Sequence, residues 1–556
     1  MNFRRDAHIQ ALRTTTFDVL VVGGGITGLG VALDAASRGL VVALVERDDF
    51  SSGTSSKSSK LAHGGLRYLQ QGEVRLVYEA LHERQRMLHN ASHLVQVMPF
   101  MIPILTKDGV VSKKIARALG SALWMYDLTG GWRIGKLHRR LRARRAHAHF
   151  PTMPADKLSS GYLYYDATVD DSRLCIAVAR TAADLGATIV NRCRLATITH
   201  DSHGTANGAI VRTAEGDEFP VVARTIVNAA GVWADEVRTT DEGRDPHSIR
   251  PAKGIHITIP WDKARNDIAV VIPVRRDRRS LFVVPWIKNP DGTYRYTYVG
   301  TTDTDFAGGV DESQCSLDDI DYVLEALNQS ITTNVTRADV TAVWSGLRPL
   351  VRSADGSPST EKTADLSRNH QVAVSDSGVI SITGGKLTTY RKMAEHTVDE
   401  VCSRLRRRKK SSTKRLKLVG ARGFDRAQLT GTHAHLAQRY GTEVDVVLSI
   451  AAESPEYARP LIDGLPYLGA EAIFAVRHEM ALTLDDVLSR RTRARIIDRR
   501  ATRAGARRAA ELIAPELGWS TADIEAQVRD FVDSCAREEA AGQVSETEYL
   551  ASVRQD

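Results

Sequence analysis

The chain has 556 residues, a formal charge of +8, 42% hydrophobic and 26% charged residues. At roughly 100–200 residues per domain it is multidomain with ample core, and its near-average composition excludes disordered, collagen-like and coiled-coil chains. Five scattered cysteines (Cys175, Cys193, Cys315, Cys402, Cys535) form neither a disulfide framework nor a zinc pattern. They read as reduced cytosolic thiols, and no metal is expected. The opening MNFRRDAHIQALRTTT lacks the apolar core of a signal peptide, and nowhere do ~18 uncharged apolar residues run together, so no membrane span is expected.

In chain order, FDVLVV (17–22) is a β-branched run that predicts a buried parallel strand. GGGITG (23–28) follows, then GLGVALDAASRG, helical in spacing and closed by Gly39, then the strand LVVALVE (40–46). Gly23 permits the tight turn, Gly25 lets backbone approach a pyrophosphate, and Gly28 lets helix pack on strand. Glu46 ends the second strand, where a carboxylate accepts from ribose hydroxyls and favours an unphosphorylated ribose, hence FAD or NAD. The loop 54–60, with Thr54, Ser55, Ser58, Ser59 and Lys60, offers hydroxyls and amides beside this unit; a solvated serine-rich loop is its bland alternative.

Residues 110–126 place Val111, Ile115, Ala118, Leu119 and Ala122 on one helical face, flanked by Lys113, Lys114 and Arg117, with Trp124 near the end. Such a helix suits a lipid interface or a protein core equally. Residues 133–145 then hold seven Lys/Arg and no acid, favouring anionic lipid. Two further strand runs, TIVNAAGVWAD (225–235) and VISITGGKLTTYRKMAEHTVDEV (379–401), end in glycine before helical text. A nucleotide fold assembled from such distant pieces is typical of two-dinucleotide flavoproteins. Residues 404–417 hold nine Lys/Arg and no acid and read as a solvated linker. Beyond them the periodicity is helical. The two basic runs carry +9 and +7, which leaves −8 for the rest of the chain. The run 404–417 contains no aromatic residue interleaved with its basic ones, as single-strand binders have, and no nucleic-acid partner is expected.

The strings SSGTSSKSSKLAHGGLRYLQ (51–70), GTTDTD (300–305), WSGLRPL (344–350) and GGKLTTYRKMAE (384–395) closely resemble the FAD-dependent (respiratory) glycerol-3-phosphate dehydrogenases. The resemblance runs from about residue 17 to 535. Ala62 and Gln70 depart from the usual pattern, and 133–149 and the basic linker match poorly. It implies an α/β fold: a FAD-binding two-dinucleotide (Rossmann-like) unit, an interwoven mixed-sheet substrate domain and a C-terminal all-α cap. The expected boundaries are 1–403 (FAD fold about 17–80, 160–240 and 340–403; substrate layer about 81–159 and 241–339), linker 404–417, and helical domain 418–556.

The resemblance also implies roles. FAD would be held by Gly23, Gly25, Gly28, Glu46, Thr54, Ser55, Ser58, Ser59, Lys60, Leu61, His63, Ala230, Gly231, Trp233, Gly385, Lys386, Leu387 and Thr388. Arg67, Tyr68, Arg348 and Lys386 would clamp the substrate, sn-glycerol 3-phosphate. His63 and His256 are candidate bases; His256, in RPAKGIHITIP, is favoured, with Arg348 as an alternative and Lys386 as a further catalytic group. Membrane quinone would take the electrons at an anionic lipid surface on the inner face of the cell membrane, the protein being cytoplasmic and peripheral; a homodimer stays open. A soluble oxidase releasing hydrogen peroxide is the nearest alternative, and an amine or amino-acid oxidase a more distant one.

Overall fold

A computed structural model describes residues 3–65, 73–105, 113–274, 276, 279–311, 313–351, 370–426 and 434–553. The strands Val19–Val22 and Val42–Val45 are buried at every position, the pattern of central parallel strands covered on both faces. They form the middle of a six-stranded sheet, in the order His370–Val374, Ile380–Gly384, Ile226–Asn228, Val19–Val22, Val42–Val45, Thr188–Val190. All pairings are parallel except the antiparallel edge strand His370–Val374. In register, Asn228 lies beside both Val22 and Ser381. Gly23, Ala229–Gly231 and Gly384–Gly385 therefore meet at one carboxyl edge, although more than 350 residues separate the first from the last.

The helices Ile26–Ser37, Asp171–Asp184 and Tyr390–Arg404 cover one face of this sheet with a common apolar core. A four-stranded sheet (Thr16–Phe17, Glu218–Ala223, Ala206–Thr213, Cys193–His200) covers the other. A ten-stranded mixed sheet stands beside them. Its strands Ile249–Pro260 and Ala342–Val351 pair antiparallel over ten residue pairs. Leu158–Val169 also belongs to this mixed sheet. The boundaries 160–240 and 340–403 had put Leu158–Val169 and Ala342–Val351 in the FAD fold; apolar runs reveal strands but not which sheet they join.

The helices Ala434–Tyr440, Val444–Glu453, Gly469–Glu479, Arg499–Leu517 and Thr521–Ala541 enclose a core of their own. Buried ion pairs seat this unit on the nucleotide fold: Asp49 takes Arg491 at 2.7 and 2.9 Å and Arg490 at 2.6 Å, and Glu479 takes Arg173 at 2.6 Å. The basic linker is not simply solvated. Its residues 406–410 are exposed, but Ser411 and the buried Thr413 donate hydroxyls to Asp34, and Asn90 donates to the Thr413 carbonyl at 3.0 Å. The 133–145 run also has structure, including the edge strand Arg139–Arg142, where exposed guanidiniums guard an unpaired strand edge.

Candidate active site

A cavity of about 410 Å³ opens at the shared carboxyl edge. The turn at its floor has no room for side chains. A Cβ on Gly28 would lie 2.0 Å from the Gly23 carbonyl oxygen, and one on Gly23, at φ +111°, would lie 2.7 Å from the Ala229 carbonyl oxygen. Gly25 caps the helix Ile26–Ser37, whose first amide, of Ile26, is met by the Ser55 hydroxyl at 2.9 Å. Glu46 accepts the amides of Gly24 at 2.5 Å and Asp48 at 2.8 Å. Burial outweighs those two bonds and lifts its carboxyl to about 7. Gly23, Gly25, Glu46, Thr54, Ser55, Ala230, Gly231, Trp233, Gly385, Lys386 and Leu387 all line the cavity.

Other residues expected at the cofactor stand elsewhere. Ser58 and Lys60 turn away to Asp171: Ser58 donates its hydroxyl at 2.6 Å and its amide at 3.1 Å, and the Lys60 ammonium lies 3.4 Å away. The Lys60 ammonium, buried and beside Arg493, is pushed down to about 8. Leu61 is in the short strand Leu61–Ala62 and packs into the core. His63 and Thr388 hold each other, the His63 amide donating to Thr388 Oγ1 at 3.2 Å. Arg67 and Tyr68 lie outside the described residues.

His256 and Arg348 come from the paired strands of the mixed sheet. His256 is buried, stacks flat on Trp344 at 4.7 Å, and its Nε2 meets Ser59 Oγ at 2.9 Å. Burial, with the cations Lys60 and Arg348, holds its ring well below the usual imidazole value, so it is neutral. The Arg348 guanidinium covers Gly254 and donates to Thr301 Oγ1 and the Thr302 carbonyl, both at 3.1 Å, with Asp303 at 3.3 Å. The next residue, Pro349, lines the same cavity as Lys386. The backbone there is joined to the cofactor loop by Thr54, which donates to the Leu347 carbonyl at 2.5 Å. Ser59 thus serves the imidazole and not a pyrophosphate.

Residues 18–391 match the family described as FAD dependent oxidoreductase, and 411–524 match the C-terminal domain of alpha-glycerophosphate oxidase. The chain is 37% identical to the glycerol-3-phosphate dehydrogenase of Mycobacterium leprae, over 95% of this chain and 89% of that one. It is 38% identical to glycerol-3-phosphate dehydrogenase 2 of Mycobacterium bovis, over 94% and 88%. The chain belongs to the FAD-dependent glycerol-3-phosphate dehydrogenase family. The crystal structure of the Bacillus halodurans glycerol-3-phosphate dehydrogenase complexed with FAD superposes with a TM-score of 0.74 at 28% identity, covering 96% of both chains.

FAD is the cofactor of this glycerol-3-phosphate dehydrogenase family member, and the cavity residues fit it. The glycine floor admits a pyrophosphate against a helix N-terminus, and Glu46 presents a carboxylate for ribose hydroxyls. Leu387–Thr389 begins a helical turn that runs on into Tyr390–Arg404, and its first residue, Leu387, lines the cavity. Sequence reasoning missed Arg47, Arg194, Glu236 and Asp311. Arg47 lies 4.8 Å over the Trp233 ring, and Asp311 binds both Arg47, at 2.9 Å, and Trp233 Nε1, at 3.0 Å. No motif marks these residues; only the fold assembles them.

Glu46→Gln is expected to weaken FAD binding about 10- to 100-fold, the worth of a charged hydrogen bond. Because ribose hydroxyls favour the ionised carboxylate, wild-type affinity should rise as pH increases through about 7. The variant should show no such step. Flavin-fluorescence titration of the apoprotein from pH 5.5 to 8.5 measures both effects.

Proposed function

We propose that the protein oxidises sn-glycerol 3-phosphate to dihydroxyacetone phosphate and passes the electrons to a membrane quinone. The observation that carries this reading is a neutral, buried imidazole set beside cations and paired to the strand Ala342–Val351, which reaches the FAD cavity through Pro349. Arg348 and Lys386 supply the charge that fixes a phosphorylated alcohol, and family membership supports that substrate. Two groups of neighbouring strands hold them, since Ala342–Val351 touches Ile380–Gly384. His256, deprotonated across the neutral range, takes the hydroxyl proton as the alcohol becomes a ketone. Bound FAD supplies the acceptor for the hydride from the same carbon. Asp303 and Thr301 keep the Arg348 fork in one orientation, so the charge is in place before substrate arrives.

The test is anaerobic addition of glycerol 3-phosphate to the purified holoprotein. The flavin band should bleach, and a soluble quinone should then restore it faster than air-level oxygen. No bleaching overturns the substrate; faster recovery with oxygen, accompanied by peroxide, favours the oxidase.

Association with the cytoplasmic face of the membrane belongs to the same reading. No helix among the described residues is long and apolar enough to cross a membrane. The helix Lys113–Thr129 does carry apolar residues into water, and the two members of the expected face whose side chains are described are not among them. Leu119 and Ala122 pack into the core, whereas Trp124 is 55% and Leu128 74% exposed, with Met125 and Leu137 nearby in sequence. Val111 lies outside the described residues. Exposed apolar residues followed by Arg133, Lys136, Arg139 and Arg140 suit an anionic lipid surface. Trp124→Ser with Leu128→Ser is expected to cut sedimentation with phosphatidylglycerol vesicles at least tenfold while leaving anaerobic bleaching intact. Equal sedimentation of variant and wild type would remove this face from the membrane contact.

A further inference from the structure

The C-terminal domain sends a buried arginine, Arg493, toward the turn that holds His256. Arg493 stands at φ +73°, a left-handed conformation unusual for a residue with a Cβ, and its side chain is 2% exposed. Backbone held in this region persists only where the surroundings over-determine it, and such places cluster at functional sites. Its guanidinium donates to the Ser56 carbonyl at 2.6 Å and to Asp171 Oδ1 at 2.8 Å. The other oxygen of Asp171 accepts the amide and hydroxyl of Ser58. The turn 56–60 is thereby held at Ser56 and at Ser58.

That turn in turn holds His256. Ser59 meets the imidazole Nε2 at 2.9 Å, and the Ser58 carbonyl accepts from Nε1 of Trp344, the ring on which the imidazole stacks. The helix Ala494–Ile497, which begins directly after Arg493, is joined to the same strands. Thr258, two residues from His256, donates to the Ile496 carbonyl at 2.7 Å, and Thr341 donates to the Ile497 carbonyl at 2.7 Å.

We propose that Arg493 is a positioning residue: from the C-terminal domain, through Asp171 and the turn 56–60, it fixes the orientation of His256. The proposal rests on the reading of His256 as the proton acceptor for its effect on turnover, but not for its effect on the imidazole. The helical domain is then part of the catalytic apparatus and not only a cover.

Two measurements keep the levels apart. The first, on the holoprotein without substrate, follows carbethoxylation of individual histidines by diethylpyrocarbonate with peptide mass spectrometry. In Arg493→Gln, labelling of His256 should be at least tenfold faster than in the wild type. Labelling of His8, buried against Ile189 on the edge strand of the nucleotide sheet, should not change. Arg493→Lys, which keeps the charge, should bring His256 back to within about threefold of the wild type. Ser58→Ala cuts the same path away from the domain boundary and should give the Arg493→Gln result even if that variant folds poorly.

The second is the rate of anaerobic flavin bleaching by glycerol 3-phosphate. The limiting rate should fall 10- to 100-fold with the half-saturating concentration unchanged within threefold. Ser59→Ala combined with Arg493→Gln should be no slower than the worse single variant, because both act on one path. His256 labelling unchanged in Arg493→Gln and Ser58→Ala overturns the proposal. So does an equal rise at His8 and His256, which would be general loosening, and so do multiplicative effects in the double variant. A wild type that does not bleach removes the substrate assignment, and the labelling result still decides the role of Arg493.

Discussion

Gly28→Val is expected to give a chain that folds poorly and retains no FAD, the largest single effect foreseen for the cofactor site. Any Cβ at this position would stand 2.0 Å from the Gly23 carbonyl oxygen, and the helix would have to move bodily from the strand. That oxygen belongs to the turn that carries the pyrophosphate, so the helix cannot withdraw without also dismantling the anion site. Gly25→Ala is a milder companion, since its Cβ would meet only the Ser55 hydroxyl at 3.1 Å. Flavin absorbance per mole of purified protein should be near zero for the first variant and reduced for the second. A valine variant with full flavin content would mean that the helix does not seat as described.

Asp49→Ala should be the most destabilising substitution away from the cavity, by about 3–5 kcal/mol, as when one partner of a buried ion pair is removed. It would leave Arg490 and Arg491 facing each other without their shared carboxylate, and Asn191 without the acceptor it reaches at 3.1 Å. Those arginines hold the Asp49 carboxyl well below the usual carboxylate range, despite the opposing effect of burial. The folded state thus binds the proton more weakly than the unfolded chain. The stabilisation is complete above the ordinary aspartate pKa, about 3.9, and is lost as pH falls below it. Urea denaturation at pH 7 and pH 3 should show a clear loss on acidification in the wild type, with a smaller loss in Asp49→Asn. A variant as stable as the wild type at pH 7 would show that the Asp49 ion pairs contribute nothing to seating the helical domain.

The nucleotide fold was legible because its signals are local. Gly23, Gly25, Gly28 and Glu46 lie within one strand–helix–strand unit, and the structure brings them together as the spacing requires. The residues proposed for the oxidation step could be singled out only through the resemblance to a family, because the bonds that hold them span the chain. Ser59 and His256 are 197 residues apart, and Asp171 and Arg493 are 322 apart. No periodicity connects such positions. The loop 54–60 shows the limit well: its hydroxyls do accept and donate as expected of a serine-rich turn, but Ser58 is claimed by a carboxylate and Ser59 by an imidazole. For the helix Lys113–Thr129, spacing showed that one side is apolar. It could not show that Leu119 and Leu123 would be drawn into the core while Trp124 and Leu128 stayed outside.

The cofactor cradle and the wall proposed for the oxidation step stand on separate sheets, and the short bond from Thr54 to the backbone of Leu347 marks where they touch. Apart from Lys386, which lines the cofactor cavity and is also proposed to hold the substrate, the residues proposed for the two tasks sit on different sheets. Substitutions along Ile249–Pro260 and Ala342–Val351 can reshape what is oxidised without disturbing the glycine floor that retains FAD. The same seam offers the engineer a place to cut: new substrate specificity is best sought on the mixed sheet, with residues 17–55 left untouched.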